Sequence, residues 1–596
     1  MKKFLAILLA SLMVLSMAAC STTSDTPAED TKKAPPSIVY LYNEGDGHKA
    51  IGEYLQGALA AAGIKMDLES QEWNTFLNTR KDGNFTMARN GWLGDYNDPI
   101  SFLDMWISTS GNNDCQLGKG EHAKLAIYDL DMTKWGGENV TDGTWAQTYD
   151  VIIDMIKKER DNNKRLEMMH AAEDLLMSTG VIVPLYYYTD LYMIDDSVKG
   201  FYSSPLGYKY FAGTTVEGKD ALNVCLASEP DTLDPALNSA VDGATMVSHL
   251  FAGLAKWGQD ADGKLVIQAD CAEALVEPVK NADNSVTYTY TLKEGLKWYD
   301  GQELKASDFE YAWQRAASVD LAADYGYMFD VVDGYAEIYE TDAAGNLVNP
   351  DAKLNVKADD AARTITVTLD VSVAYWNELL AFPTYFPVRK DVVANEDWAT
   401  DPSTYISNGA YTMAAWEHDS LITLKKNDNY HDADAVTMPT LNCYLSDDAN
   451  NMLANFKKGD WLMIDDVPTN EIATLKTEYK DEFVIAGQLG TYYVCWNVNK
   501  DLGLEKEEDR VEVRKAIGLL LDRNYICEDV AQGGQVPASS FVAMGLTDSN
   551  GKEFYQNAGD EAANGYIGYY DVAEDAIEDN CAKAMETLKK YYKIDK

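Results

Sequence analysis

A chain of 596 residues is too long for one small core, and we expect it to form two to four domains. Its 96 acidic and 50 basic residues give a formal net charge of −46, and such a surface repels phosphate backbones, which excludes nucleic acid as an expected partner. A hydrophobic content of 46% excludes a disordered chain.

The first residues read as an export signal. Met1-Lys-Lys is followed by an apolar run over Phe4–Met17 and by small residues before Cys20. This pattern resembles the bacterial lipoprotein signal, which implies a signal peptide over 1–20 and lipidation of Cys20. Residues 21–36 then form a flexible tether. No second apolar stretch approaches the ~20 residues of a membrane span.

Motifs for cofactor, metal or catalytic chemistry are absent from the sequence. There is no phosphate-binding glycine loop, zinc motif or serine-hydrolase elbow, and the six histidines are isolated. We read Asp260-Ala-Asp-Gly263 as a turn rather than as a calcium loop. We therefore expect no cofactor, no metal and no enzymatic activity. Few or no disulfides are expected from the seven cysteines that remain after Cys20: Cys115, Cys225, Cys271, Cys443, Cys495, Cys527 and Cys581.

The first third of the chain reads as an α/β lobe, because strand and helix patterns alternate. Strands are predicted at 38–42, 64–68 and 85–89, with a helix over 49–62 and helical spacing over 73–80. Helices follow at 149–158 and 165–177, and then an apolar strand over 181–188 that we expect Pro184 to break.

The middle and the end of the chain change character. Alternating strands at 285–292 and 364–369 flank a helix that opens on a capping box, Ser307–Glu310, which indicates an inserted α+β subdomain. Further strands are predicted at 222–226, 421–424, 441–445 and 492–496, and helices over 511–522 and at the acidic C-terminus.

A loop leaving the third strand concentrates groups suited to binding. Residues 89–102 combine two large aromatic rings, Arg89 and two carboxylates with Gly91, Gly94 and Pro99. From spacing alone, ordinary turn chemistry around a buried Trp92 explains this loop about as well as a binding site does.

Several stretches resemble the oligopeptide-binding lipoproteins of ABC importers, which are family 5 extracellular solute-binding proteins. The matching motifs are Ser228-Glu-Pro-Asp-Thr-Leu-Asp-Pro235, His249–Leu254, Leu296–Gly301 with Ser307–Trp313, Asn408–Tyr411, Val513–Ala516 and the loop Ala88–Pro99. The resemblance implies a two-lobed periplasmic-binding-protein fold of the α/β class with an extra α+β subdomain. Its mixed sheets are joined by crossing hinge strands.

The order of these motifs is circularly permuted relative to the family. Residues like 219–596 come first in the family, and residues like 37–213 come last. The implied C-terminal-type lobe is 37–183 and 490–596, and the N-terminal-type lobe is 184–257 and 384–489, with the subdomain at 258–383. Old termini would then be joined through Gly213–Lys219. A fused tandem gene pair that lost its outer parts predicts the same sequence.

The resemblance implies a protein that captures oligopeptides between closing lobes and delivers them to an ABC importer. It implies a monomer, held by its lipid on the outer face of the cytoplasmic membrane. Asp95 matches the group that pairs with the ligand amine, and Arg89, Arg80 and His48 match groups that meet its carboxylate. Main-chain pairing is implied for Ser239, Ala240 and Val241 and for Gly91, Trp92 and Leu93. Pocket walls are implied for Trp73, Trp92, Tyr325, Tyr492 and Tyr493.

Two departures and two alternatives accompany this interpretation. Leu93 and Gly490 stand where some members carry a disulfide, and Asp465 and Asp466 align with a pair of amides, which favours basic peptides. The alternatives are another solute in the same fold (a dipeptide, an oligosaccharide or a metal chelate) and, less favoured, a surface hydrolase. Asp95 separates them, because a sugar has no cation for it to hold.

Overall fold

The computed structural model describes residues 32–594 apart from 125–129, 141–142, 227–228, 343–344 and 548–551. The predicted signal peptide, Cys20, tether residues 21–31 and Ser228 of the family motif lie outside the described residues. Within the described ranges, no helix combines the length and the apolarity that a membrane crossing requires.

The described residues form nineteen strands. They are β1 Ile38–Asn43, β2 Met66–Gln71, β3 Met87–Leu93, β4 Ile182–Ile194, β5 Tyr202–Ser203, β6 Lys209–Tyr210, β7 Ala221–Cys225, β8 Ala255–Gln259, β9 Leu265–Ala269, β10 Val279–Lys280, β11 Val286–Thr291, β12 Val356–Asp359, β13 Thr364–Leu369, β14 Tyr411–Glu417, β15 Leu421–Lys426, β16 Thr440–Tyr444, β17 Met463–Ile464, β18 Phe483–Trp496 and β19 Val536–Pro537.

The described residues form fourteen α-helices, and the seven predicted helices are among them. They are α1 Asp46–Ala61, α2 Trp73–Lys81, α3 Trp145–Lys158, α4 Asn162–Ser178, α5 Val241–Leu250, α6 Ala306–Ala316, α7 Tyr335–Tyr339, α8 Trp376–Leu379, α9 Ala449–Lys458, α10 Ile472–Glu478, α11 Glu507–Leu519, α12 Arg523–Tyr525, α13 Glu561–Asn564 and α14 Ile577–Tyr591.

One mixed sheet runs through both lobes. Its order is β14-β15-β16-β7-β17-β4-β18-β3-β1-β2, with β19 on β4. The strands before β4 in this order come from residues predicted for the N-terminal-type lobe, and those after β18 come from residues predicted for the C-terminal-type lobe. The long strands β4 and β18 pair with each other and cross between the lobes. The crossing hinge strands are therefore present, and the predicted boundaries at 184 and 490 fall inside them.

The expected break of β4 at Pro184 is wrong. The strand continues to Ile194 because Pro184 faces Tyr493, where the register between β4 and β18 shifts and a ladder N–H is not needed. The Pro184 carbonyl accepts a hydrogen bond from Arg523 Nε at 2.7 Å. A second register shift separates the pairs made by Gly487 and Thr491, so the ladder between the two strands is interrupted midway.

The inserted subdomain is a four-stranded antiparallel sheet, β10-β11-β13-β12, with α6 beside it. The predicted capping box of α6 is wrong in its residues. The helix starts after Lys305, whose backbone N–H donates to Asp308 Oδ2 at 2.9 Å. Ser307 instead donates to Asp360, and Glu310 accepts from the backbone of Ala358.

The two ends of the described chain lie side by side. Lys33 forms a parallel bridge with Tyr592, and the Lys593 backbone N–H donates to the Lys33 carbonyl at 2.8 Å. The segment expected to join old termini is also ordered, since Thr215 bridges Lys199. All seven cysteines after Cys20 are free thiols, and six of them are buried.

Candidate functional site

A cavity of about 510 Å³ lies between the lobes and is closed on one side by the subdomain. This volume is typical of small-ligand sites. Twelve of the residues predicted for the site line it: His48, Trp73, Arg80, Arg89, Gly91, Trp92, Leu93, Asp95, Ser239, Ala240, Val241 and Tyr325.

Strand β3 presents an open edge to this cavity. On one side, its residues from Met87 to Leu93 pair with β18, and on the other side β1 pairs only with Met87 and Ala88 among the described residues. Arg89–Leu93 therefore has a backbone edge without a strand neighbour, and an extended chain can add to such an edge. Gly91 is required here, since a Cβ would lie 2.2 Å from the Tyr188 hydroxyl.

Asp95 follows this edge and is 8% exposed. Its Oδ1 accepts a hydrogen bond from Tyr325 Oη of the subdomain at 3.0 Å, while Oδ2 is buried and has no hydrogen-bond partner in the described part of the chain. Burial raises the pKa of the Asp95 carboxyl well above its usual value, and the nearby Asp104 raises it further. A buried carboxylate oxygen in this state favours a cationic partner.

The loop that carries Asp95 is fixed by its own sequence. The Asp95 backbone N–H donates to Ser101 Oγ at 2.8 Å, and Trp92 Nε1 donates to the Ser101 carbonyl at 2.8 Å. Asp98 receives two parallel hydrogen bonds from Arg165, at 2.7 and 2.8 Å. Such a bidentate pair fixes the orientation of the two side chains and strengthens their interaction. The loop therefore holds Asp95 in a defined position.

Arg89 lies on the same wall, three residues into β3. Its guanidinium sits over the Tyr492 ring at 5.2 Å and donates to Tyr188 Oη at 3.4 Å. No carboxylate of the described residues forms an ion pair with it, and its Nε has no hydrogen-bond partner among them. Because a guanidinium binds a carboxylate bidentately, Arg89 is suited to an anionic ligand group.

His48 lies beside this arginine, with Nδ1 3.2 Å from Tyr492 Oη. Burial and the Arg89 charge lower the pKa of His48 well below its usual value. The imidazole is therefore neutral at pH 7, and it offers a hydrogen bond rather than a charge.

Arg80 differs from its predicted role, because it already has a carboxylate partner. Its Nε lies 2.6 Å from Asp114 Oδ2, and both side chains are buried. The neighbouring Lys81, which was not predicted, contacts two elements across the cleft. Its Nζ lies 2.5 Å from Asp324 Oδ2 of the subdomain and donates to Ser239 Oγ at 2.9 Å.

The stretch Ser239–Val241, predicted to pair with the ligand backbone, leads into a helix. Val241 is the first residue of α5, and Ala240, in extended conformation, is its N-cap. Of Ala240 and Val241, only Ala240 therefore offers extended backbone on that wall. The N-terminus of α5 faces the cavity instead of a strand edge.

Tyr492 and Tyr493 do not line the cavity. Both are fully buried. The Tyr492 ring stacks on Tyr186 at 4.8 Å, and the Tyr493 ring packs edge-on against Phe541 at 5.1 Å. Tyr492 supports His48 and Arg89 from behind, and Tyr493 belongs to the core. Trp73, in contrast, is half-buried on the wall.

The sequence reasoning missed several wall residues, above all Tyr188, Lys209 and Asp190. Lys209 Nζ lies 2.9 Å from both Asp190 Oδ1 and Asp465 Oδ1, so Asp465 has a cationic neighbour that the resemblance does not imply. For these residues, only the run Tyr186-Tyr-Tyr188 could have indicated a binding surface from the sequence, because a tyrosine ring is apolar and its hydroxyl is polar.

The lobes touch across the cleft through the Asp95 loop. Tyr96 stacks on Tyr375 with ring centroids 4.4 Å apart, and the Asn97 backbone N–H donates to Glu378 Oε2 at 2.7 Å. With Tyr325 on Asp95, these contacts hold the C-terminal-type lobe against the subdomain. These three contacts bridge the cleft beside Asp95.

A comparison of the sequence with protein-family models identifies the family of this chain. The family model described as bacterial extracellular solute-binding proteins, family 5 Middle, matches residues 22–114 and 270–591, which is more than half of the chain. The chain belongs to this family.

Among curated proteins, the chain is 31% identical over 360 residues to the oligopeptide-binding protein OppA of Bacillus subtilis, covering 59% of this chain and 62% of that one. It is 31% identical over 321 residues to the probable deoxycholate-binding periplasmic protein YgiS of Escherichia coli, covering 53% and 55%. The matches thus span roughly three fifths of the length of these relatives.

A solved structure with the same fold is that of Haemophilus influenzae OppA in complex with the peptide RPPGFSPFR. The superposition has a TM-score of 0.51 at 23% identity and covers 63% of this chain and 67% of that one. The likeness establishes the periplasmic-binding-protein fold.

Proposed function

We propose that this protein captures oligopeptides between its two lobes and delivers them to the membrane subunits of an ABC importer. The observation that carries the proposal is the β3 wall. Asp95, with a carboxylate oxygen that has no partner among the described residues, and Arg89, with no described carboxylate, lie six positions apart along an open strand edge. An extended peptide can place its amine at Asp95, pair its backbone with the edge of β3 and place its carboxylate at Arg89.

Spacing adds a limit on the ligand. Six positions at roughly 3.3 Å each give at most about 20 Å between Asp95 and Arg89, the length of a short extended peptide. A sugar or a bile acid offers no cation to Asp95, so this wall favours peptides over those two classes of solute. The proposal assigns no catalytic step to the protein.

The anchoring of the protein belongs to the same proposal. Lipidation of Cys20 places a monomer on the outer face of the cytoplasmic membrane, and the tether lets the closed form reach its transporter. We also propose that the chain is circularly permuted relative to its family. The bridge between Lys33 and Tyr592 and the ordered joint at Thr215 support one molecule that closes on itself.

The test combines identification of the ligand with removal of its anchor. Native mass spectrometry of protein purified from cell extract is expected to find peptide masses that co-purify. In calorimetry with such a peptide, Asp95→Asn should weaken binding by about 100-fold or more, because it leaves a desolvated ammonium without its counter-charge.

Acetylation of the peptide amine is the matched control. It should weaken binding to the unaltered protein by a similar factor and weaken binding to Asp95→Asn no further, because both changes remove one interaction. Equal affinity of the unaltered protein for free and acetylated peptides would contradict the proposed anchor.

A further inference from the structure

One segment of the inserted subdomain lies against the Asp95 loop. It spans residues 324–331, here called the Tyr325 segment, and most of it is a short 3₁₀ helix, Gly326–Val331. Tyr325 donates the hydrogen bond to Asp95, and its ring centroid lies 6.2 Å from that of Trp92 on the cavity wall. Movement of this segment would therefore take the Tyr325 hydroxyl away from Asp95.

Lys157 joins the far end of this segment to the C-terminal-type lobe. It lies on α3, and its side chain is 7% exposed. Its Nζ lies 2.5 Å from Asp330 Oδ2 of the segment and 3.2 Å from Asp104 Oδ2 of the lobe. Burial opposes the charge of Lys157, but the two carboxylates hold its pKa above the usual value. One buried cation thus connects the subdomain to the lobe.

Asp104 connects this ion pair to the Asp95 loop. Tyr96, the residue after Asp95, donates from its hydroxyl to Asp104 Oδ2 at 2.8 Å. Asp95 and Asp104 therefore lie on one stretch of chain, and the Tyr325 segment meets both of them, directly at Asp95 and through Lys157 at Asp104. Each contact limits movement at the other.

The near end of the Tyr325 segment is attached to the same lobe. Asp324 Oδ2 lies 2.5 Å from Lys81 Nζ of α2. The backbone also approaches closely here, since a Cβ at Gly111 would lie 2.5 Å from the Asp324 Cα. Ion pairs therefore hold the segment on both sides of Tyr325.

The buried charges at this contact do not balance. Asp104 and Asp330 share the ammonium of Lys157, and each has a buried oxygen without a hydrogen-bond partner among the described residues. Burial and the nearby Asp104 charge raise the pKa of Asp95. A cation at Asp95 offsets the repulsion between these two acids, so a bound amine and an attached Tyr325 segment should stabilise each other.

We propose that Lys157 is a positioning residue that holds the Tyr325 segment against the Asp95 loop, and that the inserted subdomain thereby slows the release of a bound peptide. The proposal rests on the proposed function. Lys157 does not line the cavity, so it acts through Tyr325 and Asp95 rather than on the ligand itself. Without its charge, Asp104 and Asp330 repel each other across the contact, and the segment separates from the loop more often.

The experiment measures the binding of tri-, tetra- and penta-alanine to the full chain, with affinities from calorimetry and rates from stopped-flow fluorescence. Lys157→Met keeps most of the apolar stem and removes the charge. It should accelerate dissociation by about tenfold or more, as expected for loss of a charge-assisted contact, and leave the association rate within about threefold. Lys158→Met is the matched control on α3, because that side chain is exposed and pairs only with the exposed Asp154 among the described residues. It should leave both rates unchanged.

Tyr325→Phe separates positioning from a general loss of stability. Alone, it should accelerate dissociation, because it removes the hydroxyl from Asp95. Lys157→Met should then accelerate dissociation little further, since both changes disturb one contact, although it should lower the unfolding temperature equally with Tyr325 and with Phe at that position. Full additivity of the two effects on dissociation would overturn the positioning role.

Asp324→Asn releases the other end of the segment and keeps the proposal testable if Lys157→Met does not fold. It should also accelerate dissociation. Unchanged dissociation in Lys157→Met, or in Asp324→Asn, with Asp95→Asn still weakening binding, would overturn the role of the Tyr325 segment and leave the proposed function intact. Failure of all three peptides to bind the unaltered protein would overturn both.

Discussion

Glu173 shows how a single buried carboxyl group contributes to the pH dependence of stability. It is fully buried on α4, and its Oε1 accepts the backbone N–H groups of Phe541 and Val542 at 3.0 and 2.9 Å. Burial raises its pKa from 4.5 to about 8, more than the two hydrogen bonds lower it, and the neighbouring Asp174 adds to the increase. The group therefore stays protonated in the folded protein at neutral pH.

The sign of the pH effect follows from that shift. The pKa is raised on folding, so the stability from this group is fully present below pH 4.5 and is lost as the pH rises towards 8. Glu173→Gln keeps an acceptor oxygen and cannot ionise. We expect its free energy of unfolding to fall less between pH 5 and pH 8, by roughly 3 kcal/mol.

Denaturant unfolding followed by tryptophan fluorescence measures this difference. Glu586→Gln, at an exposed position on α14, is the control and should leave the pH dependence unchanged. An unaltered slope in Glu173→Gln would show that Glu173 is ionised in the folded protein.

At the scale of elements, β4 and β18 join the lobes, and their ladder is interrupted beside the cavity. Gly490 lies there, opposite Leu93 of β3. A Cβ at Gly490 would lie 2.3 Å from Leu93 Cδ2 and 2.9 Å from both the Trp92 carbonyl oxygen and Tyr188 Cδ2. Gly490→Ala must therefore displace the cavity wall.

We expect Gly490→Ala to weaken peptide binding by about tenfold and to lower stability by roughly 1–3 kcal/mol, the usual cost of overpacking. Gly487→Ala is a matched control in the same strand, because its Cβ would have no heavy atom within 4 Å. Calorimetry and thermal unfolding of the two variants give the comparison. Equal effects at both positions would mean that loss of strand flexibility, rather than the wall, is responsible.

Strand and helix patterns predicted most of the longer strands and helices, because the period and the apolar content of a segment reflect its local structure. They could not predict which face of β18 meets the cavity. Both faces of this central strand are covered, so Tyr492 and Tyr493 look equivalent in the sequence. The sequence could not predict the ion pairs of Arg80 with Asp114 and of Lys209 with Asp465 either, because ion pairs between distant segments depend on tertiary contacts.

At the scale of the whole molecule, the question to test is whether the fold tolerates chain ends at a different place in the sequence. The linear matches to the curated relatives cover roughly three fifths of their length, and the proposed permuted order would account for this share. Lys33 and Tyr592 are bridged, so a short peptide link can replace the present break. The joint between Val216 and Lys219 lies just before β7 and can be opened.

A chain re-permuted to begin at Lys219 and end at Val216, with residue 594 linked to Lys33, should fold and bind peptide with unchanged affinity. Breaks in surface loops leave the packed core and the sheet intact, and adjacent ends cost little to join. The control opens the chain between Gly490 and Thr491 instead, inside the strand that crosses between the lobes. That control should lose both cooperative unfolding and binding, whereas loss of folding in the first chain would show that the present order is required.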